Sequence, residues 1–95
     1  MEAQRLKLVD LQIDHSYYVV GYKPINTKFG DTYIITCLDT DVDEEFEMFA
    51  TKLITSYINE YSPKDRFSFT VRRNPKYTYA QIPGYNPSSS YIRLN

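Results

Sequence analysis

From Ser16 to Lys23 the chain reads Ser-Tyr-Tyr-Val-Val-Gly-Tyr-Lys, an alternation of β-branched and aromatic residues that predicts a strand. It puts Tyr18, Val20 and Tyr22 on one face and Tyr17, Val19 and Gly21 on the other, with Gly21 marking a bulge or sharp bend. Before it, Leu6, Leu8, Val9, Leu11 and Ile13 have mixed spacing, as in a short strand or lead-in turn. Pro24 to Gly30 reads as a connection built on Pro24, Asn26 and Gly30. Asp31 to Leu38 predicts a second strand, and Asp39 to Glu45 a polar turn. Glu45 to Ala50 predicts a third strand, with Phe46, Met48 and Ala50 on one face and Glu45, Glu47 and Phe49 on the other.

The period then changes. Leu53, Ile54, Tyr57, Ile58 and Tyr61 form a helical stripe, with Thr51 as N-cap and Pro63 as terminator. Arg66 to Arg73 alternates again, Phe67, Phe69 and Val71 against Arg66, Ser68, Thr70 and Arg72. A turn at Asn74-Pro75 leads into a fifth strand over Lys76 to Ile82. Residues 83–95 read as a loose C-terminal segment in which Tyr91 to Leu94 either adds a short edge strand or stays mobile.

There is no internal repeat, and 95 residues are too few for two cores. The order β-β-β-α-β-β predicts a single all-β domain with one helix, spanning residues 1–95 with its core at about 6–82. The five-stranded OB-fold barrel has this order, with its helix between strands three and four. An α+β roll with a three-stranded sheet is the alternative.

Charge changes the picture more than composition does. The net charge of −1 and the absence of Trp say little, but segment by segment the charge is uneven. Residues 39–60 carry seven acidic side chains against Lys52, a net −6, and residues 61–95 carry six basic ones against Asp65, a net +5. In an OB barrel the face of strands two and three, flanked by the loops joining strands 1–2 and 4–5, binds oligonucleotides. The first loop would carry Lys23, Lys28 and Phe29, and the second Arg72, Arg73, Lys76 and Tyr77. The face would present some of Thr32, Tyr33, Phe49 and Tyr22, and the acidic turn would stand away from both loops. Basic side chains neutralise phosphates, and aromatic rings stack on bases whatever their identity. The same alternation also serves a core, to which Phe67 and Phe69 belong.

The run Asn26-Thr27-Lys28-Phe29-Gly30-Asp31-Thr32-Tyr33-Ile34-Ile35 resembles the T-K-[FY]-G-x-x-Y-[IL] stretch of small OB-fold single-stranded DNA-binding proteins of DNA viruses and mobile elements. Leu8, Leu11, Tyr17 and Val19 are similarly spaced to residues of that family's first strand. The resemblance follows the order of elements over residues 8–73 and is specific over about ten residues. It implies that Thr27, Lys28, Phe29 and Tyr33 contact DNA, and that the protein acts in replication or recombination.

Other chemistry finds little footing. Asp39-x-Asp41-x-Asp43 resembles the start of a calcium loop, but Glu44 stands where the loop needs Gly and Ala50 where it needs a bidentate acid. One His and one Cys make no zinc site by themselves. A His15–Cys37 nucleophile pair would need a reactive thiol, whereas Cys37 lies in an apolar strand. No cofactor, no metal and no catalysis are expected. A lone cysteine, no apolar signal segment and no apolar run near 20 residues predict an intracellular chain without a membrane span. The expected partner is single-stranded DNA, bound without base specificity, with replication or recombination proteins and self-association on the strand as further partners. A protein–protein adaptor barrel and an RNA-binding OB module are the rival functions.

Overall fold

The computed structural model describes residues 4–85. The alternating segments become β2 (Ser16–Thr27), β3 (Gly30–Asp39), β4 (Glu44–Phe49), β5 (Phe67–Arg73) and β6 (Thr78–Gln81). A two-residue strand, β1 (Gln4–Arg5), precedes them, and a single 3-10 turn covers Leu8–Asp10. Together the strands form one six-stranded sheet in the order β1-β4-β3-β2-β5-β6. Its five longer strands are all antiparallel and curl into a half-barrel, and β1 runs parallel to β4. The three-stranded α+β roll is therefore wrong. β1 escaped the sequence reading because two residues show no periodicity.

Helix α1 (Lys52–Tyr61) follows β4 and precedes β5 in the chain, and packs its apolar stripe on the core side of the sheet. The Thr51 hydroxyl accepts the Ile54 N–H, as an N-cap should, and Ser62 closes the helix in the left-handed region at φ 43°. Ile54 and Ile58 point into the core, with Leu53 and Tyr57 packed beside them. The core joins them to Tyr17, Val19, Ile35, Cys37, Phe46, Met48, Phe69 and Val71, the inward residues of four strands, and to Leu11, Ala80 and Ile82.

A β-bulge decides what faces outward. The β2–β3 register shifts between Val19 and Gly21, leaving Val20 as the extra residue. An extra residue reverses the alternation beyond it. Tyr22, expected on the face of Tyr18, instead pairs opposite Ile35 and packs on the core side. Its hydroxyl donates to the Pro63 carbonyl at 2.8 Å, anchoring the bent strand below the helix.

The connection expected at Pro24–Gly30 is mostly strand. β2 continues to Thr27, so that only Lys28 and Phe29 form the turn. Pro24 is tolerated because β2 pairs with β5 only over Ser16–Val19. Beyond that it is an edge strand, where a missing N–H breaks no ladder. The fifth strand also starts later than expected, at Thr78. The Asn74 side-chain oxygen accepts the N–H groups of Lys76 and Tyr77 at 2.8 and 2.9 Å and holds both in a turn. Pro83 to Tyr85 follow β6, whereas an edge strand at Tyr91–Leu94 lies outside the described residues.

Burial pushes the Cys37 thiol up to about 12, away from the thiolate form that reacts. Cys37 is expected to resist an aromatic disulfide reagent in the native protein at pH 8 and to react fully once denaturant unfolds it. Rapid modification without denaturant would mean that β3 opens readily.

Candidate nucleic-acid interface

The β2–β3 turn presents the most exposed aromatic ring among the described residues. Thr27 builds it: its hydroxyl donates to the Gly30 carbonyl at 2.8 Å and accepts the Phe29 N–H at 3.1 Å. Gly30 sits at φ 118°, where a side chain would be strained. Asn26 donates to the Asp31 carboxylate across the base of the turn. Phe29 is thereby held 90% exposed, with the Lys28 ammonium 5.5 Å from its ring centre. Lys28 has no carboxylate partner among the described residues.

The register extends this turn along the convex face. Lys23 on β2, Ile34 on β3 and Phe49 on β4 lie in one cross-strand row and so share a face. Ile34 is buried yet lies outside the main core cluster, as its outward parity requires. Phe49, 46% exposed, carries the Arg5 guanidinium 5.4 Å from its ring centre. On β2, the Tyr18 ring centre lies 4.6 Å from the guanidinium of Arg66, which immediately precedes β5. Such cation–aromatic pairs offer a phosphate-seeking charge and a stacking plane together.

Arg5, Tyr18 and Arg66 were missed by the sequence reading. Arg5 carried no signal, since only the parallel β1–β4 pairing brings it to Phe49. Tyr18 and Arg66 come together only through the β2–β5 register, which no alternation within one strand shows. Glu45 and Glu47 share the convex face, and Glu47 lies 3.4 Å from Arg5.

Tyr33 is placed differently from Phe29 and Phe49. Its hydroxyl donates to Asn59 on the helix at 2.6 Å and its ring meets Tyr22 edge-on at 5.6 Å. Beside it, the hydroxyls of Thr32 and Thr55 lie 3.2 Å apart. Tyr33 therefore lines the cleft between the hairpin and α1, with Pro24, Asn26, Asp31 and Asn59, rather than the convex face.

The second set stands apart from the first. Thr70 lies opposite Ser16, so Arg72 and Arg73 run past the start of β2, whereas Lys28 and Phe29 follow its end. Arg72 is engaged by Asp14 at 2.9 Å and Gln81 at 3.1 Å, while Arg73 and Lys76 have no carboxylate partner among the described residues. Tyr77 is exposed and meets Tyr79 edge-on at 5.8 Å, both lining a cleft of about 670 Å³ with Leu8, Leu53 and Ala80.

The acidic turn does not stand clear of both loops. His15 bonds Asp39 through its side chain and the Val71 N–H through its carbonyl, so the turn and Arg72 share one end of β2. The hairpin end holds Lys23, Lys28 and Phe29 with Asp31 as the nearby acid, and Asp31 is bound by Asn26. Among the described residues, no helix is long and apolar enough to cross a membrane. Comparison with protein families, with curated proteins and with solved structures finds no match to this chain.

Proposed function

We propose that this chain is an OB-like barrel that binds single-stranded DNA without base specificity, as a non-enzymatic component of replication or recombination. Support for the barrel comes from five curled antiparallel strands with one helix between the third and fourth of them. The observation that carries the function is Phe29, a ring with no core to fill, fixed by Thr27 at a hairpin tip beside a lysine that has no carboxylate partner among the described residues.

From the tip, the strand runs over the convex face, past Lys23 and onto Phe49 and Tyr18, where Arg5 and Arg66 supply charge. Arg73, Lys76 and Tyr77 form a second contact beyond the start of β2, reached only by a longer oligonucleotide. Tyr33 and Thr27 support the hairpin. Stacking is indifferent to base identity, which suits binding without sequence preference.

With no Trp in the chain, tyrosine emission reports on binding directly. Titration with oligo-dT is expected to quench it, and affinity should fall with salt at a log–log slope of about −0.7 per neutralised phosphate. Two to four engaged cations then give a slope of roughly −1.4 to −2.8. Absence of quenching and of any mobility shift at low salt would remove the nucleic-acid reading and favour an adaptor barrel. Tighter binding to oligo-rU than to oligo-dT would redirect it to RNA.

A further inference from the structure

We propose that His15, Asp39 and Asp41 form a binding site for a divalent transition-metal ion of zinc-like preference. The site lies at the opposite end of β2 from the hairpin tip of Lys28 and Phe29, and it does not rest on the nucleic-acid reading. His15 immediately precedes β2, Asp39 ends β3 and Asp41 lies in the following turn, so the fold brings His15 to two carboxylates at least 24 positions away from it. The His15 Nε2 atom lies 3.0 Å from Asp39 Oδ1 and 3.6 Å from Asp41 Oδ2, and all three donor atoms fall within 4.8 Å of one another. Zinc holds nitrogen and oxygen ligands at about 2.0–2.2 Å, which spaces neighbouring ligands in a tetrahedron by roughly 3.4 Å. The two distances from His15 bracket that spacing.

Further features set the cluster apart from an ordinary acidic turn. The side chains of His15 and Asp39 are only 17% and 19% exposed, pinned where the sheet ends, while Asp41 at 73% stands on the solvent side. The imidazole ring is also fixed in place, edge-on to Tyr17 at 4.8 Å. In addition, two carboxylates converge on one imidazole nitrogen, whose single N–H can point well at only one of them. Asp43, Glu44 and Glu45 follow directly, and among the described residues no Lys or Arg pairs with any of the five acids from 39 to 45.

An ion there would accept all three donors, offset this charge and tie the start of β2 to the end of β3. Three protein ligands leave a fourth position for water. The nitrogen donor selects a transition metal over calcium or magnesium, which favour all-oxygen shells.

The test uses the intact chain, with zinc and calcium chlorides as probes. His15 is the only histidine, so its ring resonances are unambiguous in a nitrogen–proton spectrum. Zinc is expected to bind one ion per chain by calorimetry and to shift the His15 Nε2 resonance, with calcium leaving it unmoved. Losing an outer-shell partner already lowers metal affinity about 10–100-fold, so losing a ligand should lower it at least tenfold. Asp41→Asn, at an exposed position, should do so with unchanged melting temperature, and His15→Gln should do so if its spectrum shows a folded chain. No zinc binding at millimolar concentration, equal affinity for calcium, or unweakened binding by Asp41→Asn would each overturn the proposal.

Discussion

Phe69→Ala should remove about 3–5 kcal/mol of stability, the usual result of deleting a fully buried Phe. Phe69 has no exposed surface and faces Tyr17 across the β2–β5 ladder, the two rings stacked at 5.8 Å. Tyr17 meets Phe46 edge-on at 5.6 Å, so the aromatic contact crosses from β5 through β2 to β4. The Tyr17 hydroxyl accepts the Gln12 N–H at 3.0 Å, which keeps the ring from swinging into the space Phe69 would leave. A domain of this size is stable by roughly 5–14 kcal/mol, so the loss is a large share of the total. At roughly 4–8 °C per kcal/mol, the melting temperature should fall by about 12–40 °C. Circular dichroism during thermal and urea unfolding reads both quantities. A cost below about 1 kcal/mol would mean that neighbouring rings refill the cavity and that the core is plastic.

Phe69 was legible as core because strict alternation over Arg66 to Arg73 admits one inward set. The helix was legible for the matching reason: Leu53, Ile54, Tyr57, Ile58 and Tyr61 fit a period of 3.6, and Thr51 was in place to cap it. Gly21 signalled the irregularity in β2, but the sequence did not say that Val20 would be the inserted residue. That detail put Tyr22 on the core side. Pro24 argued for a loop under a rule that holds for paired strands, and the structure leaves β2 unpaired there on one side.

The candidate interface was legible in the same measure. Lys28 and Phe29 stood out because a ring in a turn lacks a core partner, and both lie exposed at the hairpin tip. Arg5 on Phe49, and His15 among Asp39 and Asp41, depend on pairings between distant segments. No local pattern encodes those. Tyr33 was ambiguous because a strand's alternation does not reveal which face a helix will cover; the bonds of Tyr33 to Asn59 and of Tyr22 to Pro63 resolve it.

Stability and the proposed binding therefore separate onto different residues, which allows the sharpest functional test. Phe29→Ala should leave the melting temperature nearly unchanged, since surface substitutions usually move stability by less than about 0.5 kcal/mol. If Phe29 stacks on a base, the same change should weaken oligo-dT binding by about 1–3 kcal/mol. At 1.4 kcal/mol per tenfold, that is roughly a 5- to 150-fold rise in Kd. Its effect on the salt slope should be nil, because the ring neutralises no phosphate. Lys28→Ala should do the reverse, flattening the slope by about 0.7 with a smaller loss of affinity at moderate salt. Val42→Ala, at an exposed apolar side chain in the acidic turn, serves as the control and should change neither. Fluorescence anisotropy of a labelled oligonucleotide at several salt concentrations measures all three variants in one series. Unweakened binding by Phe29→Ala would show that the hairpin tip does not touch DNA, and would shift the search to Tyr77 and Arg73 at the other end of β2.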